Sequence, residues 1–129
     1  MRAILIDPFA CEVREVECEL ERQPICDLLS HPTTRVRSLN RIAANIVHPN
    51  ETFIFDAEAF DKGGKRLFVF DDGSFSVPAK GLVVAYDADN NLCAATSSLE
   101  AIKNGISFAI ETNDGGMIPT TTPWKGGQP

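Results

Sequence analysis

At 129 residues, 43% hydrophobic and 23% charged, the chain has the size and composition of one globular domain able to bury its own core. A net charge of −6 and a sequence pI of about 4.8 argue against general affinity for nucleic-acid backbone or anionic membrane. Apolar runs such as Leu82-Val83-Val84-Ala85 are too short to span a bilayer, so no membrane partner is expected.

Met1-Arg2 leads directly into Ala3-Ile4-Leu5-Ile6, a strand closed by Asp7-Pro8 that leaves no room for a secretory leader, and the expected location is the cytoplasm. A second strand is predicted from Cys11 to Cys18. Its apolar residues Cys11, Val13, Val16 and Cys18 break the two-residue period between Arg14 and Glu15, where a bulge would restore one buried face. Pro24 in a first turn, followed by Ile25, Leu28 and Leu29, predicts a short helix ended by His31-Pro32. Arg35 to Leu39 is then read as a strand, and Leu39, Ile42, Ala43, Ile46 and Val47 as a helix capped by Ser38 and stopped at His48-Pro49-Asn50.

Thr52 to Asp56 reads as a strand, Ala57 to Asp61 as a single turn and Lys62-Gly63-Gly64 as a break before the strand Arg66 to Phe70. Asp72-Gly73 supplies a tight turn, returning Ser74 to Val77 antiparallel to the strand before it. Gly81 to Tyr86 is continuously apolar, as a central strand covered on both faces should be. A polar turn, Asp87 to Asn91, leads to the strand Leu92–Ala95. Ser97-Ser98-Leu99-Glu100 has capping-box spacing for a helix that Asn104-Gly105 would end in a left-handed stop, before a last strand from Ile106 to Ile110. From Thr112 the composition turns to Gly, Pro and Thr without period. The expected organisation is therefore one α+β domain over residues 1–111, a mostly antiparallel sheet of six or more strands with two or three short helices packed on it, and a flexible tail over 112–129. Trp124, the tail's one large apolar group, either docks on the domain, meets a partner or hangs free.

Eight Phe against one Tyr and one Trp suggest a core of Phe53, Phe55, Phe68, Phe70 and Phe108, since an unsubstituted ring needs no hydrogen-bond partner when buried. Cys11, Cys18, Cys26 and Cys93 form no Cys-x-x-Cys pair and read as free thiols.

No spacing of residues meets the demands of a known catalytic chemistry. Asp87, Asp89 and Asn91 match three calcium-loop positions, but Leu92 stands where the loop needs Gly and Ser98 where it needs a bidentate Glu, so a polar hairpin turn is the better account. His31 and His48 each precede proline and read as solvated turn residues. Asp56, Asp61, Asp71 and Asp72 cluster near strand ends, where carboxylates hold Mg²⁺, serve as acid and base, or simply form turns. No cofactor and no metal is assigned.

Charge is segregated along the chain. Glu12, Glu15, Glu17, Glu19 and Glu21 face a single base, Arg14, whereas Leu28 to Asn50 holds Arg35, Arg37 and Arg41 with no acid. Arg35 and Arg37 share one face of an extended segment, Arg41 can join them, and with Lys65 and Arg66 they form the candidate binding set, suited to phosphate or carboxylate.

Two stretches carry a resemblance: Met1-Arg2-Ala3-Ile4-Leu5-Ile6-Asp7-Pro8 with Val13-Arg14-Glu15-Val16-Glu17, and Arg66-Leu67-Phe68-Val69-Phe70-Asp71-Asp72 continuing through Gly81-Leu82-Val83-Val84 to Ser98-Leu99-Glu100. Together they resemble small uncharacterised proteins of phages, plasmids and the bacteria that carry them. That resemblance implies an α+β fold and an accessory role in a mobile element, and it brings no catalytic residues. The chain departs from the pattern at Leu39 to Val47 and in its tail.

The expected function is accordingly a non-enzymatic binding or regulatory protein that engages a host or mobile-element macromolecule, an anti-defence role included, with a protein as partner. Two alternatives stand beside it. One is nucleic-acid binding through Arg35, Arg37, Arg41, Lys65 and Arg66; the other is a small metal-dependent hydrolase using Asp71, Asp72 or Asp87.

Overall fold

The computed structural model describes residues 1–31, 34–43 and 49–124. Among them, ten strands form two antiparallel sheets, joined by two α-helices and one 3-10 turn. In the first sheet the order is β2 (Glu12–Glu17), β1 (Arg2–Asp7), β7 (Gly81–Tyr86), β4 (Glu51–Asp56) and β3 (Leu39–Ala43), with β8 (Leu92–Cys93) extending the β1 side of β7. The second runs β10 (Met117–Pro119), β9 (Ile106–Glu111), β5 (Arg66–Phe70), β6 (Ser76–Val77). The expected mostly antiparallel α+β architecture is what the chain adopts.

Alternation within the first sheet sends residues to two separate cores. Ile4 and Ile6 of β1, Phe53 and Phe55 of β4 and Val83 of β7 meet Phe68, Phe70, Val77 and Ile106 of the second sheet. Ala3, Leu5, Ile54, Leu82 and Val84 point the other way, onto Ile25, Cys26 and Leu29 of α1 (Arg22–Leu29). The first sheet is thus the middle layer of three. Each fully buried Leu, Ile or Phe here stabilises the fold by roughly 1.5–3 kcal/mol. Where the sheets come closest, Phe68 lies over Gly81, and a Cβ at Gly81 would sit 2.8 Å from Phe68 Cζ. That contact requires glycine.

This double covering corrects two expectations. The β1–β2 register runs unbroken from Arg2↔Glu17 to Asp7↔Glu12, so no bulge separates Arg14 from Glu15. Val13 joins the inter-sheet core while Val16 packs on the α1 side, and both are accommodated without a slip. Likewise Leu39 to Ala43 is a strand paired with β4 rather than the start of a helix, and Arg35 to Ser38 is irregular. Leu39 packs toward the α1 core and Ile42 toward the inter-sheet core. An apolar spacing of three, which marks one face of a helix, also serves a strand with a core on each side. Ala44 to Val47, the rest of the predicted helix, and His48 lie outside the described residues.

Turn chemistry explains the remaining boundaries. Gly73 adopts the left-handed φ of +75°, and Phe70 N–H donates to Phe75 across a four-residue loop wider than a two-residue hairpin turn. Ser98, not Ser97, caps α2 (Leu99–Gly105), its Oγ accepting from Ala101 N–H at 3.1 Å. Ser97 is engaged by Glu51. Gly105 ends α2 without a positive φ, the chain passing straight into β9. The segment expected to trail from Thr112 carries β10, reached through a turn in which Thr112 N–H donates to Gly116 and Gly115 takes a φ of +86°. Beyond it, Trp124 N–H donates to the Phe9 carbonyl at 2.6 Å, so Trp124 docks on the domain; residues 125–129 lie outside the description.

Candidate functional site

The turn between β1 and β2 is built by Asp7, whose Oδ1 accepts from the N–H groups of Phe9 (2.9 Å) and Ala10 (3.2 Å). Phe9 N–H is thereby satisfied within the turn, while its carbonyl accepts from Trp124 N–H. His31, just after α1, exchanges backbone hydrogen bonds with Thr34 and lies with its ring centroid 4.2 Å from that of Phe9. The expectation of a solvated turn histidine therefore fails for His31, which is half-buried between aromatic rings. Burial holds its imidazole below the usual value of 6.5, nearby Lys80 and Lys62 push the same way, and Asp7 opposes them.

A second arm comes from the end of β4. Asp56, 2% exposed, accepts from Glu58 N–H through Oδ1 and from Lys62 Nζ through Oδ2 at 2.5 Å. Lys62 Nζ also donates to the Arg35 carbonyl at 2.9 Å. An ammonium carries three donors, so a third is left for another acceptor. Between the two arms lies a cavity of about 90 Å³, walled by Phe9, Leu29, Val36 and Pro78 and lined on its polar side by His31, Thr34, Asp56 and Lys62. Thr34 and Lys62 also belong to an open groove outside it that contains Arg35, Arg37 and Glu58. The two spaces share a wall.

Of the five residues predicted to bind, Arg35 and Arg37 come together here. Arg35 is ion-paired with Asp27 at 2.9 Å, both side chains more than half exposed, an arrangement worth little to stability and easily exchanged for another anion. Arg37 accepts at its carbonyl from the Arg22 guanidinium. Arg41 stands on β3 and reaches Asn90 Oδ1 at 3.5 Å. Lys65 and Arg66 sit at the start of β5, Lys65 accepting at its carbonyl from Glu111 N–H and Arg66 donating to Thr122 O and to Cys11 Sγ. The five are divided among three settings rather than gathered in one patch. Of the other wall residues, Asp56 was visible only as one of four acids near strand ends, and Phe9 and Lys62 gave no distinguishing signal beyond the Lys62-Gly63-Gly64 break.

Three of the carboxylates considered for catalysis are engaged in hydrogen bonds, Asp72 and Asp87 within their own turns and Asp71 with β9. Asp71 accepts from Ser107 Oγ at 2.5 Å, Asp72 from Ser74 N–H, and Asp87 from the N–H groups of Asp89 and Asn91. The hydrogen bonds from Ser74 lower the Asp72 pKa at a fully exposed position. Among the described residues no group of three or more His, Cys, Asp or Glu is placed to hold a metal ion, and no helix is long and apolar enough to cross a membrane. All four cysteines are free thiols. Comparison of the chain with protein-family models, with curated proteins and with solved structures gives no match.

Proposed function

We propose that this is a cytoplasmic, non-enzymatic binding protein, an accessory factor of a mobile element, that engages a protein partner through the Arg35–Arg37–Lys62 groove and the cavity beside it. The observation that carries the reading is the shared wall: cations line an open groove while apolar side chains and a half-buried imidazole line the adjoining cavity. Such a surface suits a protein segment presenting a carboxylate beside an apolar side chain. Nucleic acid is less well served. The groove gathers only Arg35, Arg37 and Lys62, with Glu58 among them, and a net charge of −6 opposes the approach of a long phosphate backbone.

The test places a photo-crosslinking amino acid at position 37 in the full chain and, as a control, at position 72, and exposes both to lysate of a bacterial host. Capture of a defined protein from position 37 alone, lost on Arg35→Glu, is the expected result. Capture that ignores position, or saturable DNA or RNA binding that falls steeply with salt and is lost on Arg37→Glu, would overturn it in favour of the nucleic-acid alternative.

A further inference from the structure

The C-terminal segment lies against the same cavity. After β10, Thr120 N–H donates to Phe108 O at 3.0 Å, Thr122 O receives Arg66, and Trp124 N–H donates to Phe9 O at 2.6 Å. The indole ring then packs on two residues that line the cavity, its centroid 5.7 Å from that of Phe9 and 5.9 Å, edge-on, from that of His31. The backbone bond and the aromatic contacts are what a peptide-binding niche offers an extended guest: an outward carbonyl and a pair of rings.

The fit is incomplete. Trp124 Nε1 is buried with no hydrogen-bond partner, and it is the sole such side-chain atom among the described residues. Buried indole N–H groups nearly always find an acceptor, because losing water without replacing its hydrogen bond is costly. Trp124 therefore occupies the niche under a penalty that vanishes when the ring swings out into water. Tethering offsets that penalty, since a covalently attached segment competes at high effective concentration without needing high intrinsic affinity.

From these observations we infer that the Phe9–His31 niche is a binding subsite for an aromatic residue carried on an extended partner segment, and that Trp124 is its resident occupant, displaced when such a segment binds. The inference rests on the proposed binding role of the adjoining cavity and adds the kind of residue the partner inserts and the element of this chain that competes with it.

The probe is a synthetic peptide with the sequence of residues 118–124, Ile-Pro-Thr-Thr-Thr-Pro-Trp. Because Trp124 is the chain's one tryptophan, the full-length Trp124→Ala protein is silent and the peptide's indole reports alone. The expected result is saturable binding with a blue-shifted emission. By anisotropy of a fluorescein-labelled peptide, affinity for the wild-type chain should be at least about tenfold weaker, the tethered tryptophan competing at roughly millimolar effective concentration. Circular dichroism establishes that the variant is folded. A second measurement needs no variant: excess unlabelled peptide should move the ¹⁹F resonance of a 5-fluorotryptophan-labelled wild-type chain to its solvent-exposed position. Equal affinity for the two proteins, binding that survives replacing the peptide's Trp by Ala, or an unmoved ¹⁹F resonance would each overturn the inference. If these fail while crosslinking at position 37 still captures a partner, the aromatic subsite falls and the groove stands; the reverse outcome isolates the groove.

Discussion

Glu51 opens β4 fully buried, and among the described residues it forms no ion pair. Its Oε2 accepts from Thr96 N–H and Thr96 Oγ, both at 3.3 Å, and from Ser97 N–H at 2.9 Å, while Oε1 takes Ser97 Oγ. These bonds fix the loop that launches α2. In Glu51→Ala the two Ser97 donors remain buried without an acceptor, at about 1–3 kcal/mol each, while exposed Thr96 recovers water. With the small cavity added, the loss should be at least about 3 kcal/mol, a fifth or more of the total for a domain of ordinary stability. Glu51→Gln keeps an oxygen for the three donors at Oε2 and turns its amide toward Ser97 Oγ, which accepts equally well, so it should cost no more than about 1 kcal/mol. Urea denaturation followed by circular dichroism measures both. A Glu51→Ala midpoint close to wild type, or a Gln variant as damaged as the Ala variant, would refute the reasoning that acceptor geometry, rather than bulk or net charge, makes this residue matter.

Gly81→Ala drives a methyl group into the Phe68 ring, which is fully buried and cannot yield; it should cost about 1–3 kcal/mol in thermal melts, with much of the loss recovered when Phe68→Leu is added. Lys62→Met strands the buried Asp56 carboxylate and, because Lys62 itself reaches solvent, should cost about 1–3 kcal/mol; in a double-mutant cycle the Asp56→Asn/Lys62→Met pair should lose less than Lys62→Met alone. His31 has a folded-state pKa held below 6.5 by burial and by Lys80, so the docked state favours the neutral ring. Its contribution is complete above that pH and is lost as pH falls through the lowered value. Between pH 7.5 and 5 the Trp124 emission should shift to the red and the stability decline more than in His31→Gln, and identical profiles for the two proteins would count against the assignment.

Elements with one dominant signal were legible in the sequence. β7 announced itself as a continuous apolar run, β5 and β4 as short Phe-rich strands, α1 by Pro24 ahead of Ile25 and Leu29, and α2 by its Ser-Ser-Leu-Glu start, although the cap is Ser98 and not the Ser97 of the capping-box spacing. What misled was the middle layer. Val13 with Val16, and Leu39 with Ile42, are apolar residues an odd number of positions apart, which a one-faced strand forbids and a helix invites. Only the presence of α1 on one side and the second sheet on the other makes them ordinary, and neighbours distant in sequence supply that context. The site was harder still. Arg35 and Arg37 were visible as bases in an acid-free stretch, but their partner Lys62 belongs to another loop. The Phe9, His31 and Trp124 rings lie far apart in the chain and meet only because Asp7 shapes one turn and β10 carries the C-terminal segment back across β9.

The position of β7 has a consequence for how the protein is made. It separates β1 from β4, pairing Val83 with Ile4 on one side and with Phe53 on the other, so β1 gains its second neighbour only after Tyr86 has been added. At roughly 5–20 residues per second, a nascent β1–β2 hairpin waits several seconds with Ala3 to Ile6 unpaired along one edge. During synthesis that edge is where a chaperone would gain its hold and where neighbouring chains on one message would first adhere.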